Sequence, residues 1–160
     1  MAASSQHPVS VAAVIVNDED QVLVIKRRDN GHWEPPGGVL ELGESILDGL
    51  RREVREETGL EIEPERLTGV YKNMQRGIVA LVFRAHVAGG QLRSSEETVQ
   101  AEWWGRDLVT SRMDEAYAIR VLDALNEAEP AVRAHDGVSI LHGKPALPDR
   151  PSRAPRPADG

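Results

Sequence analysis

The sequence predicts a single-domain fold of mixed α/β class, and three observations support this prediction. The chain has 160 residues, of which 40% are hydrophobic and 28% charged, and this composition suits one compact core. Short apolar runs rich in β-branched residues recur along the chain, as is typical of strands. Between these runs lie two segments, 45–58 and 114–126, whose apolar residues recur at helical spacing.

The first two predicted elements are strands. The run at 9–16 is apolar and β-branched, and an extended pattern resumes from Val22 after the polar residues 17–20. This arrangement predicts a β-hairpin. A polar loop follows, and the Pro35-Pro36-Gly37-Gly38 sequence then bends the chain, because neither residue type suits a helix interior.

The central helix is predicted over 45–58, where Leu50 and Val54 share one face with apolar residues of the preceding turn. Gly59 suits a left-handed C-terminal cap. Beyond it, strands are predicted at 67–74, 77–87 and 101–104, with a tight turn at 89–90 between the last two. The helix at 114–126 completes the domain, which we place at 1–129. The proline-rich segment 130–160 is predicted to be a disordered tail.

Charge and composition exclude several classes of function. The 19 basic and 26 acidic residues give a net charge of −7, which argues against non-specific electrostatic binding of nucleic acid or an anionic membrane. With no cysteine, the chain has no disulfide, thiolate nucleophile or thiolate zinc site. It also has no apolar run of the ~18 residues that span a bilayer and no signal-peptide pattern, so we expect a cytoplasmic protein.

Acidic residues are concentrated in the segment 41–65, which holds nine acids and three arginines. On the predicted helix, Glu53, Glu56 and Glu57 share an arc of about 100°, and their mutual repulsion favours a bound cation. Carboxylate oxygens are ligands that Mg²⁺ or Mn²⁺ prefers. Taken alone, the same run is also typical of a solvated helix face.

The segment from Gly38 to Leu60, which contains these glutamates, resembles the Nudix box, a motif with fixed glycine, glutamate, arginine and aliphatic positions. Its fixed positions are filled by Gly38, Glu44, Arg52, Glu53, Val54, Glu56, Glu57, Gly59 and Leu60. The resemblance implies a mixed β-sheet between α-helices, with a divalent metal site on the loop and helix of the box. It also implies hydrolysis of a diphosphate bond in a nucleoside diphosphate linked to another moiety.

Roles in the site follow from the resemblance, position by position. The implied Mg²⁺ (or Mn²⁺) ligands are Glu53, Glu56, Glu57 and a carbonyl of Gly37 or Gly38. The catalytic base is left open between an acid of the box, Glu53 by preference, and Glu97, which lies outside it. Arg52 is expected to pair with a neighbouring glutamate and fix its orientation, and Glu44 to serve the start of the helix.

Substrate contacts are less determined by the sequence. Arg28, and after it Arg27, are expected to contact phosphates, and Trp33 either stacks on a base or packs beneath the loop, with packing favoured. None of the five histidines has zinc-ligand spacing. The short chain resembles the MutT-like branch, whose substrates are (deoxy)nucleoside triphosphates.

Three alternatives stay open at this stage. The first is an ADP-ribose or nucleotide-sugar pyrophosphatase, and the second is a non-catalytic ligand sensor with the same fold. The third is a plain acidic α/β scaffold without catalysis. The oligomeric state is also open, because the apolar residues 108, 109, 121 and 125 suit either a homodimer surface or the core.

Overall fold

The computed structural model describes residues 6–142, and over this range it contains nine strands and three helices. Groups of strands are separated by helices along the chain. In chain order they are β1 (Val9–Ile15), β2 (Val22–Arg27), β3 (Trp33–Glu34), β4 (Gly37–Val39), α1 (Ile46–Thr58), β5 (Leu60–Asn73), β6 (Val79–Gly90), β7 (Thr98–Trp104), α2 (Arg106–Arg112), α3 (Glu115–Leu125), β8 (Ala131–His135) and β9 (Ile140–His142).

The strands form two sheets. The larger sheet has the order β4-β1-β6-β5-β8-β9, and the smaller one has the order β3-β2-β7. In the larger sheet β1 runs parallel to β6 and antiparallel to β4, so the sheet is mixed. The predicted fold class, with a mixed sheet and flanking helices, is confirmed.

Strand β1 organises the core because both of its faces are buried. Val11 and Ile15 point to one side and pack in a cluster with Leu50 and Val54 of α1. Val14 points to the other side and packs with residues of α3. Successive side chains of a strand alternate between faces, so one strand separates two apolar layers. The large sheet therefore lies between α1 and α3.

The predicted hairpin of the first two strands is wrong. The turn at 17–20 forms, but β1 and β2 belong to different sheets and share only the bridge between Val16 and Val22. Each strand finds its partners elsewhere in the sequence. The predicted tight turn at 89–90 is also wrong, because both glycines extend β6 and pair with the start of β5.

The sequence prediction starts the disordered tail at residue 130, which is too early. Residues 131–135 form β8, which pairs in parallel with β5, and β9 pairs with β8. These strands cover an edge of β5 that would otherwise leave backbone N–H and C=O groups unpaired. Val132 in β8 is 76% exposed, so the apolar residues of this strand do not alternate between a buried and an exposed face in the way that predicts a strand. The remaining part of the predicted tail, 143–160, lies outside the described residues.

Helix α2 is a second feature that the sequence did not predict. It has seven residues, and only Val109 among them is buried, so no helical periodicity can be read from it. Val109 and Val121 belong to the core, whereas Leu108 is exposed, and homodimer formation stays a prediction. Within residues 6–142 no helix is long and apolar enough to cross a membrane. The cytoplasmic location likewise stays a prediction.

Candidate active site

Helix α1 is fixed at both ends by local sequence. Ser45 caps its N-terminus by accepting a hydrogen bond from the backbone N–H of Asp48 at 3.2 Å. Gly59 ends the helix in the left-handed conformation, with φ of 81°, as the sequence predicts. Leu50 and Val54 are fully buried and fix the rotation of the helix about its axis. The directions of its glutamate side chains are fixed by the same packing.

Glu57 is the most deeply buried of these glutamates, with 2% of the residue exposed. Its Oε1 accepts a hydrogen bond from the backbone N–H of Gly37 at 2.8 Å, which ties the helix to the β4 loop. Burial, opposed by this hydrogen bond and reinforced by the charge of Glu53, raises the pKa of Glu57 to about 8. The carboxylate is therefore held in a place that disfavours its own negative charge.

Glu53 lies beside Glu57 and directly against Gly38. A methyl group at position 38 would lie 2.5 Å from both carboxylate oxygens of Glu53, so only glycine permits this approach. The Glu53 side chain is 12% exposed, and burial raises its pKa. The loop backbone at 37–38 thus contacts both buried carboxylates.

Glu56 does not join this pair. Its side chain is 60% exposed and forms an ion pair with Arg52 at 3.2 Å. Within residues 6–142 no three acidic or histidine side chains lie close enough together to hold one metal ion. The structure brings together two of the three carboxylates expected to converge, because Glu56 faces solvent on the helical arc.

Arg52 connects several glutamates of the box. Its guanidinium donates two hydrogen bonds of 2.7 Å to the carboxylate of Glu44, and Nη1 lies 3.2 Å from both Glu53 and Glu56. Glu44 also accepts the backbone N–H of Glu41, and these bonds lower its pKa to about 2. Glu44 therefore anchors Arg52 as well as the loop before α1, while the helix cap itself is provided by Ser45.

A cleft of about 370 Å³ opens over the two buried carboxylates, a volume in the range of small-molecule sites. We call the part around Glu53 and Glu57 the carboxylate end, which also includes Glu97. Residues from β1, the β4 loop, α1, α3 and β8 share this one cleft. Its lining includes Arg27, Asp29, Glu34, Gly37, Gly38, Glu53, Glu57, Asn73, Arg76, Glu97, Tyr117, Arg120 and His135.

Comparison with protein families matches residues 6–125 to the NUDIX domain, which is most of the chain. The chain belongs to the Nudix family. As a Nudix hydrolase it is an enzyme that acts on pyrophosphate bonds. The matched range contains the loop and helix just described, so the box predicted from the sequence lies at the cleft.

Two curated relatives of this Nudix hydrolase illustrate its range of similarity. A MutT-like protein of Streptomyces ambofaciens is 55% identical over 135 residues, which cover 84% of this chain and 88% of that protein. The 8-oxo-dGDP phosphatase NUDT18 of Homo sapiens is 43% identical over 105 residues, covering 60% of this chain and 32% of that protein. The chain therefore matches only about a third of the human relative.

A solved structure also supports the fold assignment. The NUDIX hydrolase of Nitrosomonas europaea superimposes with a TM-score of 0.66 at 30% identity, covering 74% of this chain and 88% of that chain. The sheets and helices of the two Nudix proteins therefore share one arrangement.

The two arginines expected near the substrate point in different directions. Arg27 lines the cleft and forms ion pairs with Asp29 at 3.0 Å and Glu34 at 3.8 Å. Arg28, the favoured candidate, instead donates from Nε to the backbone carbonyl of Glu96 and is not part of the cleft lining. Strand β2 ends at Arg27, and Arg28 lies in the turn that follows, where its side chain is directed to the backbone at 96. Arg27 is the better placed of the two in this Nudix hydrolase.

Trp33 packs rather than lining the cleft. Its ring centroid lies 4.7 Å from that of Trp104, which is almost fully buried in the core. The two indoles join the short strand β3 to the small sheet. Packing beneath the loop, the alternative favoured from the sequence, is what the structure contains.

Several residues that line the cleft are not predicted as site residues from the sequence. Glu34, Tyr117, Arg120 and His135 line the cleft with the box, although they come from β3, α3 and β8. Arg120 breaks the apolar face of α3 at a buried position, and this charge in a helical core stripe was the one available signal. His135 lies in the segment predicted to be a tail, so nothing in the sequence placed it here.

The carboxylate end suits a divalent cation in its donor chemistry. Glu53 and Glu57 provide oxygen atoms, and the backbone at 37–38 touches both side chains. These are hard ligands of the type that Mg²⁺ and Mn²⁺ prefer. Burial raises the pKa of both carboxylates, and the charge of Glu53 raises that of Glu57 further, so a cation between them would stabilise their charged forms.

Proposed function

We propose that this protein is a Mg²⁺-dependent hydrolase of nucleotides that cleaves a diphosphate bond of a (deoxy)nucleoside triphosphate. The observation that supports this proposal is the pair of carboxylates of Glu57, which is buried, and Glu53, whose side chain is 12% exposed, held against the 37–38 loop in the wall of a cleft. Glu53 has Arg52 beside it, but Glu57 is 2% exposed and forms no ion pair within residues 6–142. A carboxylate buried without a paired cation is costly, so the burial of Glu57 is best explained by a ligand that carries positive charge.

Glu53, Glu57 and a backbone carbonyl of Gly37 or Gly38 would hold the divalent ion, with Glu56 joining from the rim after releasing Arg52. When bound, the ion supplies positive charge that screens the diphosphate oxygens and stabilises the leaving phosphate. The donor set on the protein is a hard-oxygen one, which supports Mg²⁺ over softer metals.

The chain's own residues perform the remaining tasks. Glu53 or Glu97 orients the attacking water and accepts its proton, and both line the cleft. Arg52, whose Nη1 lies 3.2 Å from Glu53, holds that carboxylate in place. Arg27, beside the same cleft, contributes positive charge to phosphate oxygens.

The substrate class is supported by the relatives. The Streptomyces relative is named MutT-like, and the human relative is named for 8-oxo-dGDP. Both names favour removal of canonical or damaged nucleotides over a role as a pure sensor. ADP-ribose and nucleotide sugars carry the same diphosphate chemistry and are the alternative substrates.

Release of phosphate or pyrophosphate from a panel of dNTPs, 8-oxo-dGTP, ADP-ribose and UDP-glucose tests the proposal. Wild type is expected to hydrolyse a nucleoside triphosphate with Mg²⁺ and to lose activity with EDTA. Glu57→Gln should lower kcat by at least about 100-fold. The exposed Glu61→Gln, on the acidic segment but outside the cleft lining, should not change it.

Each contrary result has a defined meaning. Preferred turnover of ADP-ribose or UDP-glucose would assign the alternative substrate class. Binding without turnover of any diphosphate compound would favour the sensor. An equal loss of kcat in Glu53→Gln and Glu97→Gln would show that both acids are necessary. Full activity of either variant would exclude the substituted residue as the catalytic base.

A further inference from the structure

Arg120 is a buried arginine that forms no ion pair within residues 6–142. Only 8% of the residue is exposed, yet it lines the cleft. Within residues 6–142 its Nε has no hydrogen-bond partner, and its only hydrogen-bond contact joins Nη2 to Nε2 of His135 at 3.3 Å. A buried guanidinium normally has a carboxylate or several carbonyls as partners. The missing acceptors point to a ligand.

His135 adds a second, independent sign of a missing acceptor. The ring Nδ1 lies 2.9 Å from the backbone N of Gly137 and accepts its hydrogen bond, so in a neutral imidazole Nε2 carries the proton. Burial lowers the pKa of His135 to about 4, which keeps the ring neutral. Nε2 and the guanidinium of Arg120 are then two donors that face each other. Both are satisfied if an acceptor atom enters beside them.

Two tyrosine rings hold the guanidinium in position. Its central carbon lies 4.8 Å from the ring centroid of Tyr117 and 5.1 Å from that of Tyr71. These rings fix Arg120 without using its N–H groups, which remain for a ligand. We call the part of the cleft formed by Tyr117, Arg120 and His135 the Arg120 end.

Glu34 decides which kind of acceptor suits the Arg120 end. Its side chain is largely buried in the same cleft and interacts electrostatically with both Arg120 and Glu57, so it lies within range of both ends. A phosphate at the Arg120 end would be repelled by this carboxylate. A neutral group that offers an acceptor to Arg120 and an N–H to Glu34 satisfies both side chains.

We propose that Arg120 determines base specificity by donating to the carbonyl oxygen of a keto-purine, while Glu34 accepts the N–H next to that carbonyl. Guanine and hypoxanthine present this acceptor and donor side by side, whereas adenine presents an amino group to the donors of Arg120. The inference rests on the proposed function, since the phosphates of the same nucleotide would then lie over the carboxylate end.

Metal-free calorimetry with mononucleotides tests the inference without hydrolysis. Wild type is expected to bind GMP and IMP at least about tenfold more tightly than AMP. Arg120→Met should lose most of this preference, and Arg120→Lys, which keeps the charge but not the planar fork, should weaken GMP binding. Arg112→Met is the matched control, because Arg112 contacts the Trp104 ring but is exposed and outside the cleft lining.

Several outcomes would overturn the inference. Equal binding of GMP and AMP by wild type would do so without any variant, even if Arg120→Met fails to fold. An unchanged preference in a folded Arg120→Met would exclude Arg120 as the specificity residue. Pyrophosphate binding that depends on Arg120, without base preference, would identify an anion site. A preference for GMP in a protein that hydrolyses no nucleotide would refute the proposed function alone.

Discussion

Replacing Gly38 with alanine tests whether the close contact between loop and helix controls catalysis. The added methyl group would lie 2.5 Å from both carboxylate oxygens of Glu53, while ordinary contact begins at 3.4 Å. The Glu53 carboxylate must therefore move by about 0.9 Å. Because it is the far end of a flexible side chain, it can rotate away, and the fold itself need not change.

The Gly38→Ala substitution is expected to lower activity and to leave stability nearly unchanged. A displacement of about 1 Å at a reacting or ligand group lowers the rate by roughly 100-fold. Gly38→Ala is accordingly expected to lower kcat for the best triphosphate by about this factor and to weaken Mn²⁺ binding, measured by electron paramagnetic resonance. The free energy of unfolding in urea should change by less than about 1 kcal/mol, since the rotation leaves the buried core unchanged.

Two other glycines serve as comparisons. A methyl group at Gly43 would meet nothing within 4 Å, so Gly43→Ala should match wild type in rate and stability. At Gly37 it would lie 2.7 Å from the backbone Cα of Ala12, so Gly37→Ala should destabilise the fold itself. A wild-type rate in Gly38→Ala would refute the reasoning, because Glu53 would then be free to move without consequence.

Three further predictions concern stability in urea. Asp123→Ala leaves the buried Arg133 guanidinium and the Tyr71 hydroxyl without their acceptor, and should cost about 3–5 kcal/mol. Leu50→Ala opens a cavity at a fully buried site and should cost about 2–5 kcal/mol. Because the pKa of buried His135 falls from 6.5 to about 4, the unfolded chain binds more protons between these values. Stability should fall by about 3 kcal/mol from pH 6.5 to 4, and His135→Gln should lack this part of the slope.

Matched variants check these three predictions. Glu61→Ala breaks a half-exposed ion pair with Arg55 and should cost less than about 1 kcal/mol. Leu47→Ala lies on the exposed part of the same helix and should cost less than Leu50→Ala. If Glu61→Ala and Asp123→Ala cost the same, burial is not what makes the Asp123 contacts important. An identical pH slope in wild type and His135→Gln would show that other groups cause it.

The box was predictable because its information is local. Helix α1, its cap at Gly59 and the positions of its three glutamates follow from sequence spacing and elementary capping rules. The sequence could not say which glutamates are buried. Glu53 and Glu57 face the loop, whereas Glu56 lies on the same arc but just outside it, and this difference depends on packing against β1 and β4.

Long-range pairing accounts for most of the errors. The 17–20 turn is predicted, but apart from β3 the partners of β1 and β2 come from 37–39, 79–85 and 98–104, and no local signal identifies them. The position of His135 was not predicted for the same reason, since this residue reaches the cleft only because β8 pairs with β5. Arg27 and Arg28 illustrate the same limit for neighbouring residues, since Arg27 ends β2 and lines the cleft whereas Arg28 lies in the following turn and contacts the backbone carbonyl of Glu96.

The distribution of buried polar residues connects the fold to its chemistry. Among the buried residues of 6–142, the acidic and basic side chains are those of Glu57, Arg120 and His135, and all three line one cleft. Thr58 and Thr68, which are buried away from it, donate to the backbone carbonyls of Val54 and Val82. Folding alone would favour apolar residues at the three ionisable positions. Their burial is costly to the free protein, and a ligand with a cation at one end and a base carbonyl at the other would offset this cost at both places.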